Sequence, residues 1–234
     1  MKRILFFILS SFIIYESFGQ LEFRNSNVGR LINLEDFNGR SLLKKYDPDI
    51  SGSPFINADW APAIIILSKG KEIGPLLVKL NIESNELYFI DTAGKELIAP
   101  EGIVKKIDFI NYYSKDSTRY IFKSGYPNID KQNENYLYQV FTEGKIELLA
   151  KKFKYIRTVK NEISGEIIKD FVDGAMTLYV YSFDNMQPLQ PKADFVLSLL
   201  IDKQEEVNTF INVNKINLKK TTDLIKLFSY YNKL

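Results

Sequence analysis

Asp47-Pro48-Asp49-Ile50-Ser51-Gly52 is the string in this chain most like a chemical site. It has the alternation of an oxygen-ligand calcium loop, in which carboxylates and a hydroxyl converge on a hard cation and a glycine allows the sharp turn. Asp47, Asp49 and Ser51 are therefore the candidate metal ligands. The pattern departs from that loop in several places. Its twelfth position is Ala58, so the bidentate carboxylate is missing, and Asp59 falls one residue late. Pro48 is awkward inside such a loop, and no amphipathic helix clearly flanks it. The favoured reading is an ordinary Asp/Pro/Gly turn, with no metal.

Two aromatic features are candidates for ligand binding. Trp60, the only tryptophan, sits in Asn57-Ala58-Asp59-Trp60-Ala61. Beside polar residues it can stack on a sugar ring, although a lone Trp next to a strand is more often core or a plug over a sheet edge. The run Lys151-Lys152-Phe153-Lys154-Tyr155-Ile156-Arg157 mixes aromatics with positive charge. As a strand it puts Phe153 and Tyr155 on one face, where they can meet lipid phosphates or anionic glycan, and Lys152 and Lys154 on the other. The same alternation describes a solvated strand face or a Lys-protected edge, which is the commoner case.

Catalytic chemistry has little to draw on. The chain has no His and no Cys. That removes the commonest general base, imidazole and thiolate metal ligands, cysteine nucleophiles and disulfides. An enzyme would need a carboxylate pair, a Ser–Lys dyad or a Tyr base. There is no G-x-S-x-G elbow, no S-x-x-K with its companion motifs and no phosphate-binding Gly-rich loop. No cofactor and no catalytic residue is expected.

The elements that must position these residues follow from composition and period. Of 234 residues, 45% are hydrophobic and 26% charged, which describes a folded globular chain. With 31 basic and 29 acidic side chains the net charge is +2, so nucleic acid is not an expected partner. Lys2 and Arg3 precede a nearly unbroken apolar run over residues 4–15, and Ser17 and Gly19 place small residues two apart. This predicts a secretory signal peptide over residues 1–19, cleaved before Gln20. The apolar run is about 18 Å long as a helix, short of a hydrocarbon core of roughly 30 Å. No later segment is long and apolar enough to cross a bilayer as a helix. The mature chain is predicted to be exported, to the periplasm or the medium.

Residues 20–60, punctuated by Gly, Pro and Asn, are predicted to be irregular, with a short strand or helix at most. From residue 61 the pattern becomes strands between turn signals. Leu76, Val78, Leu80 and Ile82 alternate with Leu77, Lys79 and Asn81, and short turns link this run to residues 86–90 and 96–99. Those three runs predict a β-meander. Further strands are read near 103–113 and 119–122, a hairpin over 136–150 whose second strand the basic run prolongs, and a late strand over 177–181. After Pro191 the period becomes helical. A short helix is read over 193–201, with Asp202 and Glu205 as a capping box for a second. Thr221 or Thr222 would cap a third, whose face is Leu224, Leu227, Phe228 and Tyr231. Strands followed by helices predict an α+β fold. It consists of an antiparallel meander over 61–190, strongly curved or a partial barrel in one version, with two or three short helices over 191–234 packed on the sheet.

Several stretches carry a resemblance. They are the basic leader ending at Gly19-Gln20, Gly52-Ser53-Pro54-Phe55, and Leu200-Ile201-Asp202-Lys203, Glu206-Val207, Asn214-Lys215-Ile216-Asn217-Leu218, Asp223-Leu224 and Tyr230-Tyr231-Asn232. In these the chain resembles a group of exported proteins of the Bacteroidota. The resemblance implies an envelope or secreted setting and transfers no activity and no functional residue. The expected function is a non-catalytic exported envelope protein that binds an envelope protein, a lipid or a glycan. One version is a curved sheet holding an apolar ligand under the helices. The alternatives are a carboxylate-dependent hydrolase of envelope glycan and a protein–protein scaffold with an exposed edge strand.

Overall fold

The period of two read from residue 61 onward sorts side chains onto the two faces of one large sheet. A computed structural model describes residues 46–113 and 117–234. The predicted leader and residues 20–45 lie outside the described residues. The strands are β1 (Ile50–Ser51), β2 (Ala61–Leu67), β3 (Glu72–Asn81), β4 (Glu86–Ile90), β5 (Glu96–Ile98), β6 (Val104–Tyr113), β7 (Arg119–Lys123), β8 (Tyr138–Thr142), β9 (Glu147–Lys151), β10 (Lys154–Lys160), β11 (Ile167–Asp173), β12 (Thr177–Ser182) and β13 (Asn185–Pro188). The helices are α1 (Ala193–Leu199), α2 (Gln204–Asn214) and α3 (Thr221–Tyr231), with a single 3₁₀ turn at Ile201–Lys203. The fold is α+β, as the order of periods predicts.

Ten strands form one antiparallel sheet in the order β13-β12-β9-β8-β7-β6-β2-β3-β4-β5. The predicted meander is β3-β4-β5. β6 then returns to pair on the free side of β2, setting Ile65 opposite Ile107 and Ala63 opposite Phe109. One face of the sheet carries Ala63, Ile65, Val78, Leu80, Ile107, Phe109, Phe122, Leu148 and Ala150, all buried. The sheet rolls around this inner face without closing into a barrel. The β3–β4 turn reaches the entry of β8, where Asn85 Oδ1 accepts the Leu137 N–H at 3.2 Å. The end of β3 likewise meets the start of β10 through Lys154 N–H to Ile82 O at 3.3 Å. Ala63, Val78, Leu80, Ile107, Phe109, Leu148 and Ala150 each have 0% of their surface exposed, so no water-sized void touches them. The interior along these side chains is packed.

The helices cover the flank of the roll. Val196, Leu200, Val207, Leu224, Leu227, Phe228 and Tyr231 pack on Ile146, Leu148 and Val180. Their caps differ from the predicted ones. The N-cap positions of α2 and α3 are Lys203 and Lys220, and neither makes a side-chain capping bond. Asp202 instead accepts the Tyr231 hydroxyl at 2.7 Å, and Asp223 accepts the Asn217 N–H at 3.0 Å. A tertiary partner has thus taken Asp202, the residue that local sequence assigned to a cap.

The basic run is the main departure from the predicted layout. It does not prolong β9. The chain leaves the large sheet at residues 152–153, and β10 enters a second sheet, in the order β1-β11-β10, with β1 parallel to β11. Among the described residues no helix is long and apolar enough to cross a membrane.

Candidate functional site

The string 47–52 is used as a turn leading into β1. Asp47 Oδ1 accepts the Asp49 N–H at 3.1 Å, and its carbonyl accepts the Ile50 N–H at 3.0 Å. Its second carboxylate oxygen lies 3.5 Å from Lys169 Nζ. Ser51 continues into the ladder opposite Asp170. Asp49 and Ser51 are exposed. Among the described residues no group of three or more His, Cys, Asp or Glu side chains is arranged to hold a metal ion.

Trp60 is half-buried on the outer face beside β3. Lys79 Nζ lies 5.2 Å from its ring centroid and 5.6 Å from that of Phe55. Phe55 in turn meets Tyr88 edge to face at 5.2 Å. Trp60 is thus part of a stack that closes the outer face over β3 and β4.

Phe153 and Tyr155 lie where the roll opens. A cleft of about 310 Å³ forms there, lined by Ile56, Tyr120, Lys152, Phe153, Lys154, Asp173, Gly174 and Met176. Each wall has a local cause. Tyr120 shares the inner face of β7 with Phe122, two residues on, so the core's aromatic row runs out to the cleft. A bulge in β6, with Asn111 at φ 54°, shifts the register between Asp108 and Tyr113. Five steps on β6, from Asp108 to Tyr113, face two on β7, and these three extra residues turn Tyr112 to the same side, where it meets Tyr120 at 4.8 Å and Phe109 at 5.9 Å. Ile56 is held by its N–H on Leu80 O at 2.9 Å, next to the fully buried Asn57. Phe153 lies over Gly174, where an added Cβ would overlap its ring, and the Gly174 N–H donates to Phe153 O at 2.9 Å.

The cations of the run are oriented by specific partners. Lys154 Nζ donates to the carbonyls of Ser53 at 2.9 Å and Phe55 at 3.0 Å, tying the cleft floor to the 53–57 loop. Lys152 Nζ stands 5.2 Å above the Tyr120 ring, and Lys151 Nζ 5.6 Å from Phe153. The Tyr136 hydroxyl donates to Lys152 O at 3.1 Å and fixes the corner. Tyr155 is the next outward residue, its ring 6.4 Å from Phe153 and exposed. The cleft therefore offers aromatic faces, a cation above one of them and a single carboxylate, Asp173. That set suits ring stacking with one or two polar contacts.

A second, polar cleft of about 220 Å³ lies beside the β3–β4 turn and holds two carboxylates, Glu86 and Glu101. The Ser84 hydroxyl donates to Glu86 at 2.6 Å. The side-chain amides of Asn133 and Asn135 both donate to Glu101 Oε1, at 3.1 and 3.2 Å, and hold its carboxyl below the usual range. That is the wrong direction for a general acid, which needs a raised pKa. Asp108 is pushed up by burial, against the pull of Arg119, whose Nε stands 2.7 Å away. Asp108 lines neither cleft.

Sequence reasoning found Phe153 and Tyr155 and missed Tyr120, Asp173, Gly174, Met176 and Ile56 as their companions. The one signal for Tyr120 was its parity with Phe122 in a strand. Asp173-Gly174 carried a turn signature with nothing to say what it would face. No protein family, curated protein or solved structure matches this chain.

Proposed function

We propose that the protein is a non-catalytic exported binding protein whose mouth cleft takes a ring of an envelope glycan. The observation that carries this reading is the aromatic lining of the opening, with Phe153 settled on Gly174 and Tyr120 under Lys152. The volume, about 310 Å³, is at the small end of ligand sites and suits one sugar ring better than an acyl chain. The packed inner face supports the same preference, since an apolar ligand would need room among side chains that have none. Binding without turnover is supported by the lining: Asp173 is the one carboxylate, whereas glycoside hydrolysis needs two about 5–9.5 Å apart.

Calorimetric titration of the protein with soluble peptidoglycan fragments and with lipopolysaccharide core oligosaccharide tests this. One of the two is expected to bind, and Phe153→Ala and Tyr120→Ala are each expected to weaken it roughly fivefold, since a lost aromatic contact costs on the order of 1 kcal/mol. Incubation is expected to release no reducing ends. Absence of binding at millimolar glycan, or binding by both variants as tight as by the unaltered protein, overturns the reading, and release of reducing ends restores the hydrolase.

A further inference from the structure

Asp173 ends β11 at the mouth cleft, is exposed, and is the one carboxylate in the cleft lining. Among the described residues it has no hydrogen bond and no ion pair. Two other aspartates beside it in the small sheet are compensated. Arg157 donates to both oxygens of Asp170, at 3.0 and 2.5 Å, and Lys169 Nζ stands 3.5 Å from Asp47. The ladder sets Lys154 opposite Asp173, but Lys154 Nζ is committed to the Ser53 and Phe55 carbonyls. The cleft thus presents an uncompensated acceptor beside its aromatic faces.

We propose, resting on the reading that the cleft takes a glycan ring, that Asp173 selects which ring: it accepts hydrogen bonds from two adjacent free hydroxyls, so the ligand is a neutral hexose or heptose with a vicinal diol. An ionised carboxylate only accepts, through two oxygens side by side, and hydrogen bonds to it are the stronger kind. Two hydroxyls on neighbouring ring carbons rotate to aim one proton at each oxygen. Three other ring chemistries fit less well. An ammonium on the ring would also meet Asp173, but Lys152 and Lys151 already bring positive charge to Tyr120 and Phe153, at 5.2 and 5.6 Å from the ring centroids. A carboxylate or phosphate substituent beside Asp173 would set two like charges together. An acetamido group offers one N–H fixed in the amide plane, and its acyl end needs room in a cleft of about 310 Å³, sized for one ring.

Titration with methyl mannoside and its 2-, 3- and 4-deoxy analogues tests this, read by ligand-observed NMR from about 0.1 to 50 mM, the range expected of a single ring. Each analogue keeps the ring and removes one hydroxyl. Loss at two neighbouring positions is expected to weaken binding roughly tenfold each, and loss at the third to leave it within about twofold. Asp173→Ala, at an exposed position without partners, is expected to melt as the unaltered protein does. It is expected to bind the parent mannoside roughly tenfold more weakly, and the two sensitive analogues no worse than the parent. Methyl N-acetylglucosaminide binding as tightly as the mannoside, sensitivity at fewer than two neighbouring positions, or deoxy losses that persist in Asp173→Ala each overturns the proposal and leaves ring binding standing. Core oligosaccharide bound with no mannoside bound does the same, whereas no glycan bound overturns both.

Discussion

Gly174 and Phe153 show how one missing methyl shapes the candidate site. A Cβ at 174 would overlap the Phe153 ring, so Gly174→Ala must displace that ring from its place in the cleft wall. Glycan binding is expected to be lost in Gly174→Ala while stability falls by about 1–3 kcal/mol, the usual cost of overpacking; calorimetry and a denaturant melt on one sample separate the two effects. Gln139 is the opposite case. It faces inward between Phe122 and Ala150, fully buried, and neither amide atom has a hydrogen-bond partner among the described residues. Gln139→Met, similar in volume and without the amide, is expected to raise stability by about 1–2 kcal/mol, read as a shifted denaturation midpoint. A lower midpoint would mean that the amide is satisfied in solution.

Beside their apolar packing, the helices are hydrogen-bonded to the β8–β9 turn by a side chain at the end of α3. Asn232 Oδ1 accepts the Ile146 N–H at 3.0 Å, and its Nδ2 donates to the carbonyls of Ile146 at 2.8 Å and Glu143 at 3.2 Å. This amide serves the backbone of the β8–β9 turn as a ladder partner would. Asn232→Ala is expected to cost about 1–3 kcal/mol, because it strands backbone groups at Ile146 that are largely withdrawn from water. Thermal melting checks it, and Asn232→Asp, which keeps the acceptor and loses the donor, is expected to fall between. The β10–β11 hairpin has less support of this kind. Its strands are mostly exposed, and Phe171 on β11 leans on Tyr46 at 5.0 Å. It is expected to exchange its amide hydrogens faster than β8 and β9, which pack on both faces.

Tyrosines on the outer face and beside the roll couple its integrity to pH. Burial pushes the phenols of Tyr88 and Tyr138 up to about 12, and raises Tyr126 further, with Glu147 accepting its hydroxyl at 2.5 Å. An unfolded phenol titrates near 10. Because the folded values are higher, their contribution is fully present below about pH 10 and is lost as pH rises through about 12. The melting temperature, followed from pH 8 upward, is expected to hold level to about 10 and then fall steeply. A level profile through pH 12 would show these phenols to be accessible in the folded state.

The sequence by itself determined the meander, the β8–β9 hairpin, β12 and the helical end of the chain, and which side chains face inward along most strands, because those follow from local period and turn chemistry; it left Ile167–Asp173 and Asn185–Pro188 unread. Val78 and Leu80 against Lys79, and Leu224, Leu227 and Phe228 on one helical face, needed no tertiary information. Tertiary structure alone decided that β6 returns to β2, that the sheet rolls onto a packed interior, and that the chain leaves it at residues 152–153 for a second sheet. Strand order and curvature depend on pairings between residues far apart in the chain, which no local pattern encodes. The same reason divides the site: Phe153 and Tyr155 were legible as an aromatic pair among lysines, whereas Tyr120, Gly174 and Ile56 became their neighbours only when three distant segments met at the mouth of the roll.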